Sequence, residues 1–224
     1  MTKSTEIIVR KDTYRHKGMR VRLAEKLQDA GIMDEKVLHA IMTVPRHFFF
    51  FDKAFVEKAY LNNAFPIGEE QTISQPYTVA YQSEILQIEA GDRVLEVGTG
   101  SAYQAAILAT MGAKVYSIER NQKLHSKAKR LLQELQYEDD VTAIFGDGYE
   151  GAPAFAPFDK VIVTAAAPKI PKKLIEQLRV GGLMVIPVGE DGQIMQKITK
   201  ISETEYTVEE KGKFRFVPML KGTK

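Results

Sequence analysis

The chain has 224 residues, of which 44% are hydrophobic and 27% charged, and its formal net charge is +2. It is long enough for one substantial core and short for two full domains. There are no cysteines, which excludes disulfides, thiolate metal sites and cysteine nucleophiles. Residues 1–12 have no apolar signal core, and no apolar run reaches the roughly 18–20 residues that span a bilayer. We therefore expect a cytoplasmic protein that binds neither membrane nor nucleic acid.

The first quarter of the chain predicts helices around a small aromatic core. Residues 1–18 are polar, and we expect them to be flexible. Apolar residues recur at helical spacing over 19–30, and Gly31 follows as the expected C-cap. A second helix is expected to begin at Asp34, whose side chain can cap it. The aromatic cluster 48–51 predicts core packing under this helical cap and not a cofactor contact.

From residue 92 onward, short apolar segments alternate with amphipathic ones. The predicted strands are 93–97, 114–118, 142–145, 160–164 and 183–188, and the predicted helices are 102–111, 124–135 and 170–178. After Gly192, the segments 193–201 and 205–210 alternate apolar and polar residues, which predicts an antiparallel hairpin. The whole pattern predicts an α/β fold with a doubly wound, mostly parallel sheet, a C-terminal antiparallel hairpin and N-terminal helical additions.

A glycine turn after the first of these strands is the most informative segment. Gly98 and Gly100 let the backbone turn tightly and approach a ligand closely. In open α/β sheets, ligands bind at the carboxyl ends of the strands, where the strand order reverses. A dinucleotide fold would have a further glycine at position 103, which is Tyr103 here. The turn therefore predicts a ligand site but disfavours a nicotinamide dinucleotide.

Acidic residues stand at three successive strand ends. Glu96 would repel a pyrophosphate but would suit the ammonium group of a methionine moiety. Glu119 lies where an acceptor for ribose hydroxyls belongs, so it supports a nucleoside ligand without choosing between cofactors. Asp147, between Gly146 and Gly148, can accept from an adenine amino group, although this tripeptide alone is more often a simple turn. Together the three acids favour a ligand site over a turn.

These residues resemble the pattern of class I methyltransferases, which have Glu-x-Gly-x-Gly in the first motif, an acid ending the second strand and a Gly-Asp loop after the third. The resemblance implies a Rossmann-like fold that binds S-adenosyl-L-methionine and releases S-adenosyl-L-homocysteine. Ala102 stands where many members have another glycine, and we expect only a slight adjustment of the turn. No metal is expected, because the histidines at positions 16, 39, 47 and 125 show no metal-ligand spacing.

Two segments before the sheet narrow the resemblance to one family. Segments 63–68 and 71–80 are similar to the Pro-Ile-Gly…Thr-Ile-Ser-x-Pro signature of protein-L-isoaspartate O-methyltransferases. The further matching segments are 44–46, 146–148, 165–168, 178–182, 187–189 and 215–218. The resemblance runs from about Met19 to Leu220. It divides the expected domain 19–224 into a helical cap with the substrate loop (19–90), a cofactor-binding core (91–192) and a C-terminal hairpin with a substrate-contact tail (193–224).

The resemblance implies methylation of the free carboxylate of L-isoaspartyl residues in damaged proteins and peptides, which starts repair through a succinimide. It makes Ser74 the catalytic residue. The expected cofactor contacts are Thr72, Ile73, Glu96, Gly98, Thr99, Gly100, Glu119, Asp147 and Gly148, and the expected substrate contacts are Gln75, Pro76, Ala165, Phe216 and Val217. An acceptor carboxylate is already ionised near neutral pH, so Ser74 would orient it and no general base is needed. Tyr77 and Val79 stand where the family often has histidines.

Other interpretations of the residues remain open at this point. Ser74 could only cap the helix that begins near Pro76. The acceptor could be RNA or a small metabolite, although an RNA enzyme should show a basic stripe with stacking aromatics. The chain could also be a binding module that has lost its activity, or a nicotinamide dehydrogenase, which Tyr103 disfavours.

Overall fold

A seven-stranded sheet lies at the centre of the computed structural model, which describes residues 11–224. Its strand order is β5-β4-β3-β6-β7-β8-β9, with a separate two-stranded sheet, β1-β2, before it. The α-helices are α1 (Tyr14–Asp29), α2 (Glu35–Thr43), α3 (Pro76–Leu86), α4 (Tyr103–Thr110), α5 (Gln122–Glu134) and α6 (Lys172–Glu176). Short 3-10 helices span Arg46–Phe49, Lys53–Lys58 and Pro153–Phe155. The strands are β1 (Phe65–Gly68), β2 (Gln71–Ile73), β3 (Arg93–Val97), β4 (Lys114–Glu119), β5 (Val141–Phe145), β6 (Phe158–Val163), β7 (Leu178–Val188), β8 (Gln193–Lys200) and β9 (Tyr206–Phe214).

The sheet is parallel from β5 to β7, and β8 and β9 continue it as antiparallel strands. The predicted fold class, with its C-terminal antiparallel hairpin, is therefore confirmed. The strand order reverses at β3, which lies between β4 and β6. Val97 at the end of β3 is paired with both Ile118 and Val163. The carboxyl ends of the three strands are thus level, and the residues after them meet at one edge.

Burial of both sheet faces explains the apolar character of the central strands. Val94 packs in the core on the side of the N-terminal helices, whereas Leu95 and Val97 pack in a second core on the opposite face. α4 is buried along nearly its whole length, while α5 buries only the stripe formed by Leu124, Ala128, Leu131 and Leu132. Parallel strands covered by helices on both faces are expected to be apolar throughout.

The aromatic cluster 48–51 packs as predicted. Phe49 and Phe50 are buried, and Phe48 and Phe51 pack against the same core. The ring of Phe49 meets the ring of Tyr103 edge-on, with centroids 5.4 Å apart. The cluster therefore joins the N-terminal part of the chain to α4, and α4 begins directly after the glycine turn.

The first helix begins at Tyr14, five residues before the predicted boundary. Thr13 caps it, because its hydroxyl accepts from the His16 backbone and the His16 ring accepts from the Thr13 backbone. Residues 14–18 therefore belong to α1, and residues 1–10 of the segment expected to be flexible lie outside the described residues. Asp34 caps α2 as predicted, and Gly31 follows the end of α1 with φ +101°.

Three elements in the C-terminal part of the chain differ from the sequence prediction. α6 spans only Lys172–Glu176, because Pro171 directly precedes it and the chain enters β7 at Leu178. β7 begins five residues before the predicted start at position 183, and its pairing with β6 contains a bulge. β9 extends past the predicted end at 210 to Phe214. Among residues 11–224, none of the helices is both long and apolar enough to cross a membrane.

We predict that Gly18→Ala stabilises the protein, because Gly18 is exposed inside α1 and an added Cβ meets nothing within 4 Å. The free energy of unfolding, measured by urea titration, should rise by about 0.5–1 kcal/mol. Gly31→Ala is the matched control and should destabilise the protein, because its φ of +101° strains any side chain. An unchanged stability of Gly18→Ala would contradict a helix that begins at Tyr14.

Candidate functional site

Three adjoining spaces open where β3, β4 and β6 end. The tail cavity, of about 240 Å³, lies between the ends of β3 and β4 and residues 218–220. The turn cavity, of about 60 Å³, lies between residues 71–74 and the glycine turn 98–101. The groove, of about 920 Å³, lies between residues 72–81 and 211–217.

Neighbouring spaces share lining residues. The tail cavity and the turn cavity share Gln71, Gly98, Glu119 and Ala165. The turn cavity and the groove share Thr72, Ser74, Thr164 and Val217. A ligand in the first two spaces would therefore meet a second ligand in the groove at the turn cavity, beside Ser74.

The glycine turn leaves no room for a side chain at position 98. A Cβ on Gly98 would lie 2.4 Å from Thr164 Oγ1, which itself donates to the carbonyl oxygens of Val97 and Gly98 at 3.0 and 2.7 Å. Ala102 adopts φ +70°, the left-handed conformation that glycine favours. The chain thus keeps the backbone turn with alanine in this position, at a cost of about 1–2 kcal/mol.

Glu119 is fixed by two backbone amides and lines both the tail cavity and the turn cavity. Its Oε2 accepts from the N–H of Gly100 at 2.9 Å, and its Oε1 accepts from the N–H of Asn121 at 2.8 Å. Each carboxylate oxygen still has a lone pair for a ligand. The structure therefore places a rigid hydrogen-bond acceptor where the sequence predicted one.

Glu96 is fully buried and, in the structure of residues 11–224, lines none of the three spaces. Its Oε2 accepts from Ser117 Oγ, which lies 2.6 Å from Thr99 Oγ1. Its Oε1 has no hydrogen-bond partner among the described residues. Burial raises the pKa of Glu96 to about 8. Hydrogen bonds through Ser117 and Thr99 thus connect the side chain to the glycine turn, and its contact with an ammonium group stays a prediction.

Asp147 anchors the segment after β9 instead of lining a cavity wall. Its Oδ1 accepts from the N–H of Tyr149 at 2.9 Å, and its Oδ2 accepts from the N–H of Gly222 at 2.6 Å. Gly148 does line the tail cavity, and a Cβ there would lie 2.4 Å from Val97 Cγ1. Of the predicted pair, Asp147 therefore anchors the segment after β9, and Gly148 lines the tail cavity with its backbone.

The tail 217–220 was only partly found from the sequence. The N–H of Ala166 donates to the Val217 carbonyl at 2.8 Å, and the N–H of Met219 donates to the Ala166 carbonyl at 2.7 Å. Pro218, Met219 and Leu220 line the tail cavity. Met219 and Leu220 were missed; their position directly after the matching segment 215–218 is the one signal for them.

Ser74 lies between β2 and α3, facing the turn cavity and the groove. The N-cap of α3 is Gln75, which makes no side-chain cap, and Ser74 Oγ makes no hydrogen bond within residues 11–224. The interpretation of Ser74 as a helix cap is therefore wrong. Thr72 and Ile73 line the turn cavity beside it.

Arg46 binds the backbone of Ser74, and no role was predicted for it from the sequence. Its Nη2 donates to the Ser74 carbonyl and its Nε to the Ala59 carbonyl, both at 2.8 Å. The guanidinium lies over the Tyr103 ring, 4.7 Å from the centroid. The side chain is fully buried, which lowers the pKa of Arg46 to about 10 and leaves it charged at neutral pH. Its position shortly before the aromatic cluster 48–51 and within the matching segment 44–46 was the signal for it.

Four of the five predicted substrate contacts line one or more of the three spaces. Gln75, Phe216 and Val217 line the groove, and Ala165 lines the tail cavity and the turn cavity. Pro76 is buried at the first position of α3 and, in the described part of the chain, lines none of them.

One pair of histidines lies closer together than the sequence spacing indicated. The rings of His16 and His47 have centroids 3.9 Å apart, and both residues lie near Asp12. Arg20 binds both carboxylate oxygens of Asp12, at 2.7 and 2.8 Å. Because this cation already occupies the carboxylate, the cluster is poorly suited to a metal ion.

The comparisons with known proteins identify the family of the chain. The profile of the protein-L-isoaspartate(D-aspartate) O-methyltransferase family matches residues 19–224. The chain belongs to this family. A protein-L-isoaspartate O-methyltransferase of Christiangramia forsetii is 55% identical over 210 residues, which cover 94% of this chain and 98% of that protein. One from Flavobacterium psychrophilum is 51% identical with the same coverage of both chains.

Solved structures of the family share the fold. A protein-L-isoaspartate O-methyltransferase with 29% identity has a TM-score of 0.81 over 89% of this chain, which covers 65% of that protein's chain. A putative member from Plasmodium falciparum, solved in complex with S-adenosyl-L-homocysteine, has a TM-score of 0.79 at 24% identity over 91% of this chain and 99% of its own.

The buried carboxyl group of Glu96 predicts a pH-dependent stability. Its pKa is 4.5 in an unfolded chain and about 8 in the fold, so the folded state holds a proton that the unfolded state has lost. The contribution of Glu96 to the free energy of unfolding is therefore greatest below about pH 4.5. It falls as the pH rises and becomes constant above about pH 8. Glu96→Gln should flatten this fall.

We expect the unfolding free energy of Glu96→Gln to exceed that of the parent at pH 8 by at least about 1 kcal/mol, since one unit of pKa shift corresponds to about 1.4 kcal/mol. Urea titrations at several pH values between 5 and 9 measure the slope. Glu138→Gln, at an exposed position, is the control and should keep the parent's pH dependence. The same slope in Glu96→Gln would show that another group causes it.

Proposed function

We propose that this chain transfers a methyl group from S-adenosyl-L-methionine to the free carboxylate of L-isoaspartyl residues in proteins and peptides, and so initiates their repair through a succinimide. The observation that carries the proposal is the meeting of two ligand spaces at Ser74, in the junction between turn cavity and groove. Family membership supports both the reaction and the cofactor. We also propose that the protein acts in the cytoplasm on proteins and peptides, and not on nucleic acid.

The tail cavity and the turn cavity fit the proposed cofactor. Val97, Ile118 and Met219 offer apolar walls for a planar base, and Glu119 offers carboxylate oxygens for ribose hydroxyls. Gly98 and Gly148 line the space with backbone, because their neighbours leave no room for a Cβ. When bound, S-adenosyl-L-methionine supplies a methyl group on a positively charged sulfur.

Some of the predicted residues are proposed to contact the cofactor, and others are proposed to position the segments that contact it. Contacts are assigned to Gly98, Thr99, Gly100, Glu119 and Gly148, together with Thr72 and Ile73 at the turn cavity. Glu96 and Asp147 act through the segments that they hold, the glycine turn and the tail. This assignment replaces two direct contacts expected from the sequence by positioning roles.

The acceptor needs placement rather than activation. A side-branch carboxylate is ionised near neutral pH, so no proton has to be removed before the methyl group is transferred. No histidine lines the turn cavity or the groove among the described residues. The hydroxyl of Ser74 is left to donate to the carboxylate, and Arg46 fixes the backbone that carries it. Orientation of two bound reactants is itself a large contribution to rate.

The first test is methyl transfer from labelled S-adenosyl-L-methionine to two peptides that differ only in isoaspartate or aspartate at one position. We expect base-labile label on the isoaspartyl peptide alone, since a methyl ester is hydrolysed by base. Equal label on both peptides would overturn the proposed selectivity. Label on neither, with the cofactor bound in calorimetry, would overturn the acceptor and point to RNA or a small molecule.

We predict that Ser74→Ala impairs methyl transfer without impairing cofactor binding. The loss of one hydrogen bond to a charged group costs about 1.5–3 kcal/mol, so kcat/KM for the isoaspartyl peptide should fall about 10- to 150-fold. The dissociation constant of S-adenosyl-L-homocysteine, measured by calorimetry, should stay within about twofold. Ser126→Ala on the surface of α5 is the control with no expected change. A parallel loss of cofactor affinity would reject the orienting role.

A further inference from the structure

We propose that the groove is a peptide subsite that favours acidic residues flanking the isoaspartyl residue, and that Lys213 and Arg215 select them. The inference rests on the proposed function and adds a class of preferred substrate to it. Three observations support it: the positive side chains along the groove, the aromatic side chains at its base, and the lining residues that it shares with the turn cavity.

The wall of the groove that continues β9 carries only positive charge. Lys211, Lys213 and Arg215 line it, and no acidic side chain of the described residues does. Gly212, with φ +98° between Lys211 and Lys213, lies where the pairing of β9 with β8 shifts register, and all residues from 211 to 217 line the groove. The charge is local, because the net charge of the whole chain is only +2.

Two of these cations are available to a ligand. Lys211 is paired with Glu209 at 2.8 Å. Lys213 and Arg215 are exposed and form no ion pair or hydrogen bond through their side chains within residues 11–224. An acidic side chain in the groove would therefore meet two uncompensated charges, whereas a basic one would be repelled.

An aromatic ladder forms the floor of the groove. Tyr77 stacks on Tyr81 with centroids 5.9 Å apart, Tyr81 stacks on Phe214 at 5.2 Å, and Phe216 follows at 6.4 Å. Tyr81 also donates to the Lys211 carbonyl at 2.8 Å, which ties α3 to β9. The floor is thus preformed, and it offers an apolar surface to the backbone and the side-chain stems of a peptide.

The groove is the exit for a peptide whose carboxylate reaches Ser74. It shares Ser74, Thr72, Thr164 and Val217 with the turn cavity, and its volume of about 920 Å³ extends well beyond them. β9 ends the strand order, so one of its edges has no strand partner among the described residues. Free strand edges bind extended peptides through their backbone. Residues next to the isoaspartate would therefore lie beside Lys213 and Arg215.

The test uses three isoaspartyl peptides of equal length that carry two Glu, two Gln or two Lys residues beside the isoaspartate. For the parent protein we expect kcat/KM to fall in the order Glu, Gln, Lys. Each exposed charge contact changes affinity by up to about fivefold, so the Glu and Lys peptides should differ by about 5- to 25-fold at low salt. The difference should shrink at high salt, because screening weakens exposed charge contacts.

The double variant Lys213→Glu, Arg215→Glu should reverse this order, with Lys the best and Glu the worst flanking residue. The matched control Arg22→Glu, Lys129→Glu reverses two exposed charges on α1 and α5 and should keep the parent's order. Thermal unfolding and S-adenosyl-L-homocysteine binding, measured on both variants, show whether each is folded.

The outcomes separate this inference from the proposed function. Equal kcat/KM for the three peptides would overturn the subsite and leave the methyltransferase activity intact. The parent's order retained in the Lys213→Glu, Arg215→Glu variant would also overturn it, because other residues would then select the charge. No transfer to any of the three peptides, with the cofactor bound, would overturn the proposed function and the subsite together.

Discussion

The carboxylate of Glu119 is the interaction on which the geometry of the site depends. It ends β4, yet it accepts from the N–H of Gly100 after β3 and from the N–H of Asn121 before α5. One side chain thus fixes the glycine turn and its own strand end as a unit. The level ends of β3, β4 and β6 then bring Thr164 against Gly98. Glu119 therefore both faces the proposed cofactor and fixes the backbone around it. A substitution of Glu119 would remove both roles at once.

Local sequence patterns were sufficient to predict the parts of the site that follow directly from a strand end. A buried strand followed by glycines predicted the turn that contains Gly98 and Gly100, and the parallel alternation predicted the strand end at Glu119, which lies next to that turn. The position of Glu96 was equally clear, but its environment was not. That residue lies on the same face of β3 as Val94, the face that the N-terminal helices cover, so its burial depends on packing between segments distant in the chain.

Contacts between distant segments account for most of what the sequence did not predict. Arg46 binds the Ser74 carbonyl across 28 residues, and Asp147 binds the Gly222 amide across 75. Neither pairing has a periodic signal, because each depends on how two segments distant in the chain pack together. The start of α1 was missed for a different reason: Thr13 and His16 cap it locally, but the pair does not follow the usual Ser/Thr-x-x-Glu pattern.

The tail after β9 connects the two ligand spaces, since Val217 lines the groove and Pro218 to Leu220 line the tail cavity. Its backbone is held by Ala166 on one side and by Asp147 at Gly222 on the other. Tyr149 adds a third tether by donating to the Met219 carbonyl at 3.1 Å. Loss of the Asp147 carboxylate would thus loosen a wall that the proposed cofactor and the proposed peptide share. An effect of such a variant on cofactor binding would report the tail, and does not require a contact between Asp147 and the base.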